Sequence, residues 1–322
     1  MDTAVRLGRE QRDRLIERAW DTVCSYLLNR HLHNRGLLGP QLPENVRKVT
    51  TFLLHDRFSS RDCLRKIFSG QSRLILSGIT IFNLEILQDL TSLKELDLNV
   101  TSVSDISPLA QLTNLTRLKL SGISVSDISP LAQLSSLSQL FLYGRAIEEM
   151  SVNDISPLTQ LTNLTELELF NIPVMDISFL GQLTNLTKLA VGGNSLCDIS
   201  PLTQLTSLTE LELYSESEID ISSLAQLTNL TKLTLMGMSI NDISPLAQLT
   251  RLTVLSLVMT PVSDIRPLAQ LSSLTELRLV GTLVSDISPL AQLTNLTMLI
   301  LLETPVSDIS PLAHLEYLKI IQ

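Results

Sequence analysis

The chain is poor in the residues that carry most enzyme chemistry. Its 322 residues include only four histidines, three cysteines and one tryptophan. Cys24, Cys63 and Cys197 are too far apart for metal-ligand spacing, and their odd number argues against a disulfide framework. Phosphate-binding loops, dinucleotide-binding glycine motifs, zinc-protease motifs and nucleophile elbows are all missing. We therefore predict no catalytic residue, no metal site and no cofactor.

Long apolar runs are absent as well. No stretch approaches the ~18 consecutive apolar residues of a transmembrane helix. The charged N-terminus MDTAVRLGREQRDRLIERAW has no apolar core of the kind found in a secretory signal. These absences predict a cytoplasmic protein with no membrane segment.

The charge is unevenly distributed along the chain. Residues 1–70 carry 13 Lys and Arg against 8 Asp and Glu, whereas residues 71–322 carry 11 against 25. An acidic surface repels a phosphate backbone, so nucleic acid is an unlikely partner for the longer part.

A repeated phrase, D-I-S-P-L with close variants, dominates the rest of the chain. Its aspartate recurs every 22 residues, except for one step of 27 residues between Asp127 and Asp154. The ten positions are Asp105, Asp127, Asp154, Asp176, Asp198, Asp220, Asp242, Asp264, Asp286 and Asp308. The same frame extends back to Asn83, so the repeats begin near Arg73. One such coil cannot bury its own leucines, but stacked coils can, and the period therefore predicts a solenoid.

Each repeat predicts a short strand followed by a short helix. Leu118 and Leu120 alternate with Arg117 and Lys119, which is the period of a strand with one buried face. In the phrase that follows, Asp can accept hydrogen bonds from the free N–H groups of a helix start, and Pro is tolerated in the first turn. Few residues separate this phrase from the next strand, so the helix has one or two turns and can be a 3-10 helix.

The pattern LxxLxxLxLxxTxVxDIxPLAx closely resembles the 22-residue leucine-rich repeat of bacterial internalins. The resemblance covers residues 71–322 and implies an α/β leucine-rich repeat solenoid, with short parallel strands on the concave face and short 3-10 or α turns on the convex face. It further implies binding of other proteins on the concave sheet. Secreted internalins also carry a signal peptide, an immunoglobulin-like segment and a wall anchor, which are not found in this sequence.

The predicted organisation has two parts. Residues 1–70 contain segments of helical periodicity and are expected to form a small helical N-terminal cap. Residues 71–322 form the solenoid, with about 11 repeats and a partial last one. The 27-residue step places an insertion near residues 145–149, which we expect to leave the coil as a loop. Strands are expected from Leu74 to Leu299, and a twelfth begins at Leu318.

Function in a repeat protein is expected at the variable strand positions that face the solvent. The third of these positions turns apolar from Tyr143 onward, and an exposed apolar stripe marks an interaction surface. The predicted partner-binding residues are Phe141, Tyr143, Arg145, Glu166, Glu168, Phe170, Glu210, Glu212, Tyr214 and Met236. Two alternatives without a partner are left open by the sequence. The apolar column packs under the rim, and the charges only pair across strands.

These features predict a non-enzymatic protein–protein interaction scaffold whose partner the sequence does not identify. A first alternative is the ligand-sensing arm of a larger signalling or defence ATPase assembly. A second is nucleic-acid contact through the basic N-terminal helices. We expect a monomer, or weak self-association through the C-terminal end, where Met298, Ile300 and Leu302 are apolar.

Overall fold

The structure is a computed structural model, and it contains two compact units, Met1–Leu161 and Thr162–Gln322. They are called the first and second unit below. The structure describes residues 37–38, 72–76, 84–85, 87–99, 103–123, 125–144, 152, 154–172, 176–193 and 196–322.

The first unit contains a parallel sheet whose strands follow one another in chain order. Among its described residues the strands are β1 Leu37–Leu38, β2 Arg73–Leu76, β3 Glu95–Asn99, β4 Arg117–Ile123 and β5 Gln139–Gly144. Glu95 lies opposite Arg117, which lies opposite Gln139, so the pairing keeps the 22-residue step of the sequence.

The second unit repeats the arrangement with eight strands. They are β6 Glu166–Phe170, β7 Lys188–Gly192, β8 Glu210–Tyr214, β9 Lys232–Met236, β10 Val254–Val258, β11 Glu276–Val280, β12 Met298–Ile300 and β13 Lys319–Ile321. Each is parallel to its neighbours and paired without a register shift. From β6 to β12, residues 22 positions apart therefore form columns that run across the sheet, and the step from β12 to β13 is 21 residues.

Short 3-10 helices return the chain from one strand to the next. Those in the described part of the first unit are Ser107–Gln111, Ser129–Gln133 and Ser156–Gln160. Those in the second are Ser178–Gln182, Ser200–Gln204, Ser222–Gln226, Ser244–Gln248, Arg266–Gln270, Ser288–Gln292 and Ser310–Leu312. The predicted leucine-rich repeat solenoid, with parallel strands on one side and 3-10 turns between them, is confirmed.

The repeated aspartate holds the start of each helix. Asp105 Oδ1 accepts a hydrogen bond from the backbone N–H of Ser107 at 2.8 Å, and Asp308 accepts from Ser310 in the same way at 2.9 Å. The isoleucine between them occupies the N-cap position, so the carboxylate reaches the first helical N–H from one residue further back. The predicted capping role is confirmed.

The core of each coil is a column of leucines. In one coil Leu109, Leu112, Leu115, Leu118 and Leu120 are completely buried. Full burial of a leucine side chain contributes roughly 1.5–3 kcal/mol. Because the same positions are buried in successive coils, the interior of each unit is continuous.

Polar side chains tie each coil to the one before it. Asn229 of one N-L-T triplet donates its amide to the carbonyl of Thr206 at 2.9 Å, and Asn295 donates to Ser272 at 2.8 Å. The asparagines of these triplets therefore have a structural role in the repeat.

Two predictions concern residues that lie wholly or almost wholly outside the described structure. The helical cap over residues 1–70 and the insertion at 145–149 lie outside the described residues, apart from Leu37–Leu38. Those two residues form a short strand parallel to Arg73–Leu76, inside the segment for which the sequence predicted a helical cap. A two-residue strand is too short for its alternation to be seen in a sequence.

The capping aspartates predict a loss of stability in acid. Hydrogen bonds from the residue two places on lower the pKa of seven of these carboxyl groups below the usual 3.8, and the Arg266 side chain brings that of Asp264 to about 2. A group whose pKa is lower in the folded state stabilises the fold above its unfolded pKa, and this contribution is lost as the pH falls through the folded value. We expect Tm to fall as the pH drops from about 4 towards 2.

The matched variant replaces Asp176, Asp198 and Asp286 with Asn, which keeps an acceptor oxygen but does not titrate. Tm followed by circular dichroism between about pH 2 and 5 should fall less steeply in this variant. Equal slopes in the two proteins would contradict the role assigned to the carboxylates.

Candidate functional site

The solvent face of the first unit carries two cation–aromatic pairs. The Arg117 guanidinium lies 4.4 Å from the centre of the Phe141 ring, and the Lys119 ammonium lies 5.3 Å from the centre of the Tyr143 ring. Arg117 also donates to the side-chain oxygen of Gln139 at 2.7 Å. Stacking of this kind contributes about 0.5–1 kcal/mol at an exposed site.

Phe141 lies on the solvent face, but its side chain is covered, contrary to the expectation from the sequence. Its side chain is 5% exposed, whereas Tyr143 is half-buried. Its position in the strand alternation faces the solvent, but the stacked Arg117 covers the ring. Its exposure was therefore predicted wrongly, and it offers a partner little area.

Asp97 occupies the same face and is partly buried. Burial raises the pKa of its carboxyl group, against the opposing influence of Lys119, Arg117 and Arg73. One of its oxygens is shielded from solvent without a hydrogen-bond partner. An arrangement of this kind is costly for the ionised form.

In the second unit, acidic and basic side chains alternate across the first four strands. Lys188 Nζ lies 3.0 Å from Glu210, and Lys232 Nζ lies 3.1 Å from Glu212. The hydrogen bond to Glu210 raises the pKa of Lys188, and the charges of Glu210, Glu166 and Glu168 act in the same direction. Lysine and glutamate side chains therefore form ion pairs between neighbouring strands of this unit.

A depression of about 150 Å³ lies among these charges. Its floor includes Ala190, which is paired in register with Glu168 on one side and Glu212 on the other. The rest of its lining is charged apart from Leu189: Glu166, Lys188, Glu210 and Lys232. Because Ala190 has only a methyl side chain, no long side chain of this column stands between Glu168 and Glu212.

The predicted aromatic column lies along the sheet and is half-buried. A Cβ added to Gly192 would be 2.6 Å from the Phe170 ring, so this ring rests against the glycine. Tyr214 lies in the same way near Gly237, at 3.1 Å, and its hydroxyl group donates to Glu216 at 2.9 Å. The column is thus partly packed on the next coil and partly exposed.

Beyond Tyr214 a larger groove of about 450 Å³ opens on the same face. Thr234 and the largely buried Ser256 are the small side chains in its middle. Its apolar lining consists of Met236, Val254, Val258, Val280, Ile300 and Leu302. Met236 and Leu302 are 38% and 41% exposed. Glu212 and Lys232 belong to both this groove and the smaller depression.

The predicted residues of the second unit are thus brought together on one face. The four glutamates line the depression, the two aromatic rings lie on the neighbouring column, and Met236 lines the groove. Arg145 lies outside the described residues. The valines of the groove were not among the predicted partner-binding residues, although Val258 and Val280 belong to the column that was predicted to turn apolar from Tyr143 onward.

Other kinds of site find no support in the described part of the chain. No group of three His, Cys, Asp or Glu residues there could hold a metal ion. Among the same residues no helix is long and apolar enough to cross a membrane.

Similarity to known proteins is found in solved structures. An internalin (inlF) from Listeria monocytogenes is 30% identical with a TM-score of 0.64, over 80% of this chain and 81% of that chain. Internalin C2 (inlC2) from the same species is 35% identical with a TM-score of 0.54, over 60% of this chain and 83% of that chain. The chain is a leucine-rich repeat protein.

More distant leucine-rich repeat structures share the fold alone. A plant peptide hormone receptor, solved in complex with RGF2, is 20% identical with a TM-score of 0.61, over 80% of this chain and 44% of that chain. No protein-family model and no curated protein sequence matches the chain.

The packing of Phe170 on Gly192 makes a testable prediction for this repeat protein. In Gly192→Ala the new Cβ would lie 2.6 Å and 2.8 Å from ring carbons of Phe170 and 3.1 Å from Tyr214 Cβ. Because the ring must move, we expect the free energy of unfolding to fall by about 1–3 kcal/mol. Urea unfolding measures this change.

Gly181→Ala is the matched control. Its nearest neighbour would be at 3.6 Å, and alanine already occupies the equivalent position in other coils, such as Ala110. We expect its free energy of unfolding to stay within about 1 kcal/mol of the wild type. Equal effects of the two substitutions would contradict the described packing of Phe170.

Proposed function

We propose that this protein is an internalin-type, non-enzymatic binding scaffold, and that it holds a partner protein on the solvent face of the second unit. The observation that carries the proposal is the apolar groove over β9–β12, with exposed Met236 and Leu302 in its lining. Exposed apolar side chains grouped in one concavity are typical of interaction sites.

The composition of the groove favours a macromolecular partner. Its lining combines aliphatic side chains with the charged groups Glu212, Lys232 and Arg278. Protein interfaces likewise combine apolar side chains with polar and charged ones. The depression at Ala190 adjoins it and extends the surface across β6–β8.

The similarity to the Listeria monocytogenes internalins supports the assignment to the internalin type, because it spans most of their length. Leucine-rich repeat proteins of this architecture are in general non-enzymatic scaffolds and receptors, in agreement with the lack of catalytic motifs in the sequence.

The two alternative functions receive no specific support. Nucleic-acid contact would require the basic residues 1–70, which are almost entirely outside the described structure. The second unit itself carries 6 Lys and Arg against 16 Asp and Glu, which opposes binding to phosphate. An arm of an ATPase assembly has no distinguishing feature in the described residues.

Cytoplasmic location and weak self-association stay predictions. The exposed free thiol of Cys197 is compatible with a reducing compartment.

Charges introduced into the groove test the proposed function. In a Val258→Arg, Val280→Arg variant two cations replace half-buried aliphatic groups of the groove lining. We expect at least about tenfold weaker capture of a partner by the purified full chain, because the partner must desolvate those cations. Capture is quantified by labelled mass spectrometry of material bound from cells that express the protein.

The matched control places the same two charges on the opposite side of the same unit. Gln248→Arg, Gln270→Arg changes exposed residues of two 3-10 helices. It should capture the partner as the wild type does. A partner lost from both variants, or from neither, would contradict the assignment to the sheet face.

A further inference from the structure

In the middle column of the second unit, short side chains leave two recesses in the surface, called low places below, and Glu212 separates them. In chain order its residues are Glu168, Ala190, Glu212, Thr234, Ser256, Arg278 and Ile300. Small side chains stand at Ala190 and again at Thr234 and Ser256, and these are the positions of the depression and of the groove. An occupant that follows this column meets both in turn.

The first low place is suited to a cation. Four glutamates and two lysines line it, so its formal charge is negative. Glu168 and Glu212 flank Ala190, two strand spacings or about 10 Å apart between Cα atoms. The Lys232 ammonium contacts one oxygen of Glu212, Oε1. Since a carboxylate has about four lone-pair sites, it can accept further donors.

The second low place is suited to an apolar side chain. Met236 and Val258 form one wall, Val254 lies on the other, and the polar groups of Thr234 and Ser256 are short. An ion placed here would lose its hydration among aliphatic groups. The two low places therefore select different chemistry.

The width of the face selects an extended chain. The outer columns are four residues apart along each strand, which is about 13 Å between Cα atoms before their side chains are counted. A helix about 10–12 Å wide would take up nearly all of this width, whereas an extended segment leaves room for the side chains of the outer columns.

The distance between the two low places determines how many residues separate the two side chains that fill them. From Ala190 on β7 to the middle of Thr234 and Ser256 on β9 and β10 is two and a half strand spacings, or about 12 Å. Four residues of extended chain cover about 13 Å, and the first and fifth side chains point to the same side.

We propose, building on the proposed function, that the second unit binds an extended segment of its partner with a Lys or Arg over Ala190 and an apolar side chain four residues away over Thr234 and Ser256. The cation lies between Glu168 and Glu212. Binding is therefore electrostatic at one end and hydrophobic at the other.

Random peptides displayed on phage provide the probe. The library is selected against the full chain, and the enriched peptides are synthesised and titrated by fluorescence anisotropy. We expect them to share a Lys or Arg followed or preceded, four residues away, by a large apolar residue. Their binding should weaken as salt is raised, because an exposed ion pair is screened.

Two variants block one place each. Ala190→Arg fills the depression and Ser256→Phe fills the groove. Arg278 stands in the same column of the second unit, and Phe141 occupies the equivalent strand position in the first unit, so strands of this repeat accept both side chains at that position. Each should reduce peptide binding at least tenfold, and the control Gln248→Arg should not. Glu168→Gln with Glu212→Gln keeps the shape and should weaken binding of the basic peptides only.

The outcomes separate this inference from the proposed function. If the enriched peptides have another composition and neither blocking variant binds them, the basic–apolar pattern is overturned. The proposed function of the sheet face is left intact by that result. A selection in which no peptide is sensitive to either variant, with Tm unchanged in both, would overturn the inference. The proposed function then stands or falls with the capture experiment on the Val258→Arg, Val280→Arg variant.

Discussion

The rest of the structure depends on the hydrogen bonds that hold each coil in register, 22 residues after the previous one. The carbonyl of Thr187 accepts from the N–H of Thr209 at 2.8 Å, from the N–H of Glu210 at 3.1 Å and from the Thr209 hydroxyl group at 3.0 Å. Other threonines repeat this arrangement in later coils, for example Thr275 on Thr253. Because these hydrogen bonds fix the turn before each strand, each strand enters the sheet at the same point. Equivalent side chains of successive coils must then stack.

Columns are the consequence that matters for function. Because the scaffold positions are filled by leucines and hydrogen-bonded polar groups, the solvent-facing positions are free to vary without loss of the fold. A single small residue in a column leaves a gap one strand wide, as at Ala190, and two in succession leave the groove at Thr234 and Ser256. Whether such a gap is charged or apolar then depends on the side chains in the adjacent columns.

Much of the fold could be predicted from the sequence, because each coil repeats the same pattern of residues. Leucine spacing predicted the strands, and the aspartate and proline predicted the short helices, because each rests on local geometry. The expected exposure of Phe141 was wrong because it depends on a contact between side chains: Arg117 lies over the ring, and the period of the sequence does not reveal such a contact. The support that Gly192 gives to the Phe170 ring was not predicted either, because it lies between neighbouring strands. The groove was missed as a unit because it is defined by volume, and volume comes from small residues in adjacent columns.

Contact of the partner with β9–β11 can be tested most directly by photo-crosslinking in cells. A benzoylphenylalanine replaces Val258 on the sheet face in one protein and Gln270 on the opposite side in another, and crosslinked products are compared after irradiation. A single protein crosslinked from position 258 and absent from position 270 is the result expected of a partner held in the groove. The same product from position 270, with none from position 258, would contradict it and would assign the interaction to the side of the 3-10 helices.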